Sequence, residues 1–300
     1  MRDQAREQLA QRGGGGQIGR CALACCLALM LLGMGSLLGC RAFPRQTAGV
    51  TRVPEKHSVR VENLVLVSNF KLSKEDPLVL ELQELRERVV ATLKLPEPRR
   101  DVMVYLFSDQ ETYRAYLAQL YPGLPDRRAY FVGTSEELAV YTFWGNRIQE
   151  DLRHEATHGI LHASLAGVPL WLDEGLAEYF EVPGSPVGGM NGDYPQQLAM
   201  ATSNGWRPDL DRLESIEEFT SLQRIDYQES WAWVHYLLHS SPETRQELLA
   251  YIVDLRDSPQ PERLASRLEG ITPAYSDRFL SYMSSMGISG SAVIRAAHGE

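Results

Sequence analysis

The chain is 300 residues long, with 44% hydrophobic and 23% charged residues, a balance that supports a packed core and excludes a disordered polymer. Its 39 acidic residues against 30 basic ones give a formal net charge of −9, which argues against nucleic acid as a partner, because such proteins carry a basic footprint. All four cysteines fall at 21, 25, 26 and 40, so the rest of the chain must be held by its core and not by disulfides.

In chain order, the opening segment brings Arg2, Arg6, Arg12 and Arg20, and an apolar run follows from Cys21 to Leu38. A basic start, an apolar run and a small residue before the cut describe a signal peptide over residues 1–39. Its ending, Leu37-Leu38-Gly39-Cys40, resembles a bacterial lipobox. That resemblance implies a lipid on Cys40, attachment to a membrane and an extracytoplasmic location. The alternative is a single N-terminal transmembrane anchor, since the apolar run is just long enough to span. Residues 40–57, with Pro44 and Pro54, read as a tether.

Residues 59–70 are rich in Val and Leu and read as a strand, with an irregularity at Glu62 and Asn63. Over residues 74–95, Leu78, Leu82, Leu85, Val89 and Leu93 recur at helical steps, and Pro96 ends the pattern. Residues 102–107 are a continuous apolar run, hence a buried strand, and residues 109–120 read as a helix capped by Ser108. Two short strands are expected at residues 129–132 and 138–143. Helices are expected over residues 191–203, over 227–252 with a break near Ser240-Ser241-Pro242, and over 261–286, with loops at 182–190 and 206–211. Strands mixed with helices first and helices alone afterwards predict an α+β body over residues 58–290: a small mixed sheet lobe (58–145) and a mainly helical lobe (146–290).

The chemistry concentrates in His154-Glu155-Ala156-Thr157-His158, inside a helical run. One turn apart on one face, His154 and His158 can reach the same ion, while Glu155 projects aside as a base that is not a ligand. After a break at Gly167-Val168-Pro169 comes Trp171-Leu172-Asp173-Glu174-Gly175-Leu176-Ala177-Glu178-Tyr179, a second helix able to return a carboxylate. Two histidines and one Glu are an established zinc set with an open fourth position. His162 lies two turns from His154, about 12 Å along the axis, too far to share that ion.

His-Glu-x-x-His followed by Trp-Leu-x-Glu-Gly-x-Ala-x-Tyr resembles the gluzincin metallopeptidases, in particular the thermolysin-like and peptidase-MA-like families. The resemblance covers residues 146–181 strongly and 58–250 more weakly. It implies a zincin-like fold with the metal in the cleft between the lobes, one Zn2+ per chain, Glu174 as third ligand and Glu178 as the acid that orients a ligand histidine. Glu178, and less readily Asp173, compete for the ligand role on the residues alone. The resemblance also implies an oxyanion donor from the helical lobe, for which Tyr227 is the first candidate and His235 the second. In zincins the edge strand pairs with an extended peptide, the role expected of residues 138–143. The Gly-x-Met-Glu-Asn signature of related aminopeptidases is missing, which favours an endopeptidase. The expectation is a membrane-anchored zinc peptidase acting on peptides or proteins outside the cytoplasm. Its rival is a catalytically silent lipoprotein that binds peptide, cell-wall material or a protein partner. The intact Glu155 weighs against the rival, which has no use for a base.

Overall fold

The computed structural model describes residues 51–184 and 190–297, with side chains described as far as residue 286. The expected signal peptide, Cys40 and most of the expected tether lie outside the described residues. Five strands build one mixed sheet: β1 (His57–Val61), β2 (Leu64–Ser68), β3 (Val102–Phe107), β4 (Ala129–Gly133) and β5 (Leu138–Phe143), in the order β1-β2-β3-β5-β4. β2, β3 and β5 run parallel, and β1 and β4 pair antiparallel at the two edges. The crossovers are α1 (Pro77–Leu93) and α2 (Gln110–Leu120). The two that carry the metal-binding pattern are α3 (Ile148–Ser164) and α4 (Leu170–Glu181). Then come α5 (Tyr194–Ser203), α6 (Leu210–Glu214), a 3-10 turn (Phe219–Ser221), α7 (Arg224–His239), α8 (Pro242–Leu255), α9 (Leu264–Ile271) and α10 (Tyr275–Ala297). The protein is thus α+β, a small mixed sheet with a mostly helical remainder, and residues from Arg52 onward cluster as one compact unit.

Side-chain alternation along β3 and β5 sorts the core into two layers. Val102, Val104, Leu106, Leu138 and Val140 join α1, α3 and the helical part in one large apolar cluster. Phe107, Ala139 and Tyr141 turn the other way, onto Tyr113 and Leu117 of α2. Helix α3 lies on the sheet at a glycine, where a Cβ on Gly159 would come 2.6 Å from Val102 Cγ1. Helix α4 meets α7 at another, where a Cβ on Gly175 would come 2.6 Å from the Ser230 carbonyl oxygen. Trp171, Trp231 and Trp233 are fully buried around that crossing.

The structure corrects several expectations. Residues 59–70 are two strands, because Glu62 takes a left-handed φ of 51° and turns the chain into a hairpin. Asn63 fixes that turn, its amide oxygen accepting from Arg86 Nε at 2.8 Å and its backbone oxygen from Val102 N at 2.8 Å. His57, assigned to the tether, opens β1. The strand expected at the edge, Leu138–Phe143, is interior, flanked by β3 and β4; the open edge is β4. The hairpin through Thr134 folds β4 outward, and the parallel β3–β5 pairing claims the inner position. Asp109, not Ser108, caps α2, accepting from Thr112 N at 2.8 Å. Part of the loop expected at 206–211 is helical, because Asp209 caps α6. Helix α7 begins three residues early, at a reciprocal capping box between Gln223 and Asp226. Among the described residues no helix is long and apolar enough to cross a membrane.

Because the α4–α7 crossing leaves no room for a methyl group, Gly175→Ala is expected to destabilise the protein by about 1–3 kcal/mol. Thermal unfolding followed by circular dichroism should show a midpoint lowered by several degrees, and an unchanged midpoint would disprove the close approach.

Candidate metal centre

Helix α3 runs beneath the sheet edge and α4 crosses it, so that side chains of both face the same volume. Nε2 of His154 lies 3.6 Å and Nε2 of His158 lies 3.9 Å from Glu174 Oε2. One donor atom from each of the three residues falls within 4.8 Å of the others. Zinc with bonds of about 2.0–2.1 Å and tetrahedral angles holds neighbouring donors roughly 3.4 Å apart, close to the separations of the two histidines from Glu174. The site fits such an ion in a second respect: the opposite ring nitrogens are already committed. His154 Nδ1 is 3.0 Å from Glu181 Oε2. His158 Nδ1 is 2.9 Å from Asp173 Oδ1, close enough for charge pairing though off the line of a good hydrogen bond. Carboxylates at Nδ1 leave each Nε2 directed at Glu174, the usual arrangement behind metal-bound histidines.

These supports were only partly legible. Glu181 stands against His154, where Glu178 was expected to orient a ligand, and Asp173 serves His158. Glu178 is buried nearby and accepts from Asn191 Nδ2 at 2.7 Å and the Tyr194 hydroxyl at 3.1 Å. Burial, opposed by His154, pushes its pKa up to about 7. A second grouping, His154 with Glu178 and Glu181, also brings its donor atoms within 4.8 Å of one another. His162, excluded as a ligand, has a partner: its Nε2 is 2.9 Å from Asp173 Oδ2. The spacing 174, 178, 181 was the available signal for Glu181, since steps of four and three keep one helical face.

The end of α4 that carries Glu181 is tied down by arginines. Arg88 donates to the carbonyls of Phe180 at 2.6 Å and Val182 at 3.0 Å, and Arg153 bonds the Glu181 carbonyl and pairs with Glu81. Cations at the last carbonyls of a helix satisfy groups that have no partner within it.

Glu155 projects from α3 toward the sheet edge, where its Oε2 accepts the Phe131 backbone N–H at 2.6 Å. It is half-buried, crowded by protein yet touched by solvent. Burial raises its pKa above the ordinary carboxylate value, against the pull of His154 and His158. A cleft of about 360 Å³ opens beside it, lined by Asp126, Arg127, Arg128 and Ala129 on one wall and by Glu150, Asp151, His154 and Glu181 on the other. Tyr227, at the start of α7, packs against Phe219 with 6.5 Å between ring centres and feels the charges of Glu174 and Arg127. Burial first, and Glu174 second, raise its pKa, so it keeps its proton at neutral pH. His235 sits two turns further along α7, about 12 Å on. Its Nδ1 is 2.7 Å from the Tyr282 hydroxyl, and its ring packs among Tyr179, Trp231 and His239. Burial lowers its pKa to about 3. The structure therefore brings His154, Glu155, His158, Glu174, Glu178 and Tyr227 into one neighbourhood and gives His235 to the helix packing.

A family described as "Protein of unknown function (DUF1570)" matches residues 150–260. That stretch contains both histidines, Glu155, the α4 carboxylates and Tyr227, and leaves out the sheet. No curated protein matches the chain.

In the metal-free protein, burial opposes charge on His158, but Asp173 and Glu174 outweigh it and raise its pKa to about 9. A raised histidine stabilises the fold fully below its unfolded value, near 6.5, and that contribution is lost as pH rises through about 9. Burial alone would raise the pKa of Asp173, yet His158 and His162 depress it far below the usual carboxylate range, so its charge persists throughout this window. The chelator-treated chain should therefore lose several degrees of melting temperature between pH 6.5 and 9. Asp173→Asn should flatten that slope by lowering stability at the acid end. An equal slope in both proteins would refute the pairing.

Proposed function

We propose that the protein is a zinc-dependent peptidase of gluzincin type, a hydrolase of peptide bonds. The observation that carries this reading is the convergence of His154 Nε2, His158 Nε2 and Glu174 Oε2 beside a separate carboxylate, Glu155. His154, His158 and Glu174 would hold the ion, a set of three donors that would leave one position of a four-coordinate zinc for water or substrate. Zinc bound there supplies a lowered pKa for water and polarisation of the scissile carbonyl.

The chain's own residues divide the remaining work. Glu155, made more basic by its surroundings and held by the Phe131 N–H, accepts the proton of the attacking water and delivers it to the leaving amine. The Tyr227 hydroxyl donates to the developing oxyanion. Strand β4 offers its open edge to an extended peptide, in place of the strand expected from the sequence. Attachment to a membrane through Cys40, and with it an extracytoplasmic site of action, belongs to the same proposal and rests on residues 21–40 of the sequence.

The full chain should bind about one zinc, measurable by elemental analysis. Glu155→Gln should keep the metal and lose turnover of a mixed peptide library by about 10² or more, the scale of a lost general base. Glu174→Gln should lose metal and activity together. Hydrolysis that survives Glu155→Gln with zinc still bound would end the peptidase reading, and zinc binding with no hydrolysis in the parent would favour the silent binding protein. Separately, Cys40→Ser should abolish labelling by a radioactive fatty acid; a wild-type chain that takes no label would exclude the lipid anchor.

A further inference from the structure

The carboxylates that line the cleft all have partners. Asp126 pairs with Arg114, while Asp151 and Glu150 pair with Arg128. Glu155 accepts the Phe131 N–H, and Glu181 holds His154. Arg128 is thereby neutralised. Arg127 is not: it is exposed on the cleft wall and, among the described residues, forms no ion pair with a carboxylate. Its guanidinium instead lies 4.7 Å from the centre of the Phe219 ring and 6.0 Å from that of Tyr130. Aromatic contacts with these two rings hold a planar cation in place without cancelling its charge. A guanidinium so fixed is a ready acceptor site for a carboxylate, which it can engage with two parallel hydrogen bonds.

Its place along the cleft gives the direction. Phe131, whose N–H meets Glu155, marks the reacting position on β4, and Arg127 precedes it by four residues, roughly 13 Å of extended chain. The Arg127 guanidinium lies 6.0 Å from the ring centre of Tyr130, the neighbour of Phe131, which keeps the charge within those four residues of the reacting position. Antiparallel pairing is the commoner mode of adding a strand, and a peptide laid antiparallel on β4 runs its C-terminal part toward Arg127. Resting on the peptidase reading, we infer that Arg127 is a specificity residue that receives a carboxylate on the C-terminal side of the scissile bond, within about four residues of it. That group is either the free C-terminus of a peptide or an acidic side chain.

Three matched peptides with one common cleavable bond test this. Each is made in lengths that end one to four residues beyond the bond, and at each length one ends in an amide, one in a free carboxylate, and one carries Glu at its last position with an amide end. Cleavage is followed with the zinc-loaded full chain, and binding with the same chain carrying Glu155→Gln. Both measurements should favour a carboxylate peptide over the neutral one by about tenfold or more, chiefly in KM. The ratio should fall to near one in Arg127→Gln and return in part in Arg127→Lys. Preference for the free acid alone assigns the terminal carboxylate, and preference for both assigns either source. A ratio near one in the parent, or one unchanged in Arg127→Gln, overturns the inference. Carboxylate-dependent binding that is lost in Arg127→Gln, with no peptide cleaved by the parent, would overturn the peptidase reading and leave Arg127 as the receptor of a bound peptide.

Discussion

Glu174 is only 5% exposed, and a carboxylate so placed is sustained by the positive charge that meets it. That requirement organises the middle of the molecule. Two imidazoles face Glu174, two further carboxylates face the imidazoles, and arginines from α1 and α3 fasten the helix that carries them. Charge alternates outward from the centre, so no member is buried alone. The helices that deliver these groups can approach closely enough only because Gly159 and Gly175 stand where they touch their neighbours.

The sheet contributes more than a platform. Its hydrophobic alternation lets one face carry α3 while the other is sealed by the aromatic layer under α2. The strand that ends up outermost, β4, then lies directly against Glu155. Sheet and helices are thus joined at Glu155 by a bond to the strand's backbone.

How far the sequence disclosed this depends on the range of the interaction. Glu174 was set apart from Glu178 and Asp173 only by the family resemblance, whereas the shared face of His154 and His158 was legible because helical spacing alone places them. The pattern of Leu and Val marked α1 and the interior strands for the same reason. The edge position was misassigned, because which of two neighbouring strands lies outside depends on pairing with β3, a contact between residues far apart in the chain. Asp173 and Glu181 were overlooked or undervalued, since on α4 several acids compete and only the crossing angle with α3 selects among them. The Glu62 turn was visible as an irregularity, but its left-handed backbone was not. His235 shared the aromatic surroundings expected of an active-site residue and proved to belong to the packing among α4, α7 and α10.

The bond between Phe131 and Glu155 has a consequence for pairing at the sheet edge. In an antiparallel ladder alternate residues present their N–H and C=O groups to the same side, so Ala129, Phe131 and Gly133 share the outer rim of β4. The central N–H of that rim is already engaged. A strand laid along β4 therefore meets a ladder with its middle rung removed, and it can pair above and below while its own carbonyl opposite Phe131 goes unclaimed. The gap sits beside Glu155, and in any register it would leave one carbonyl of such a strand without a donor on β4, free to meet another group at that point.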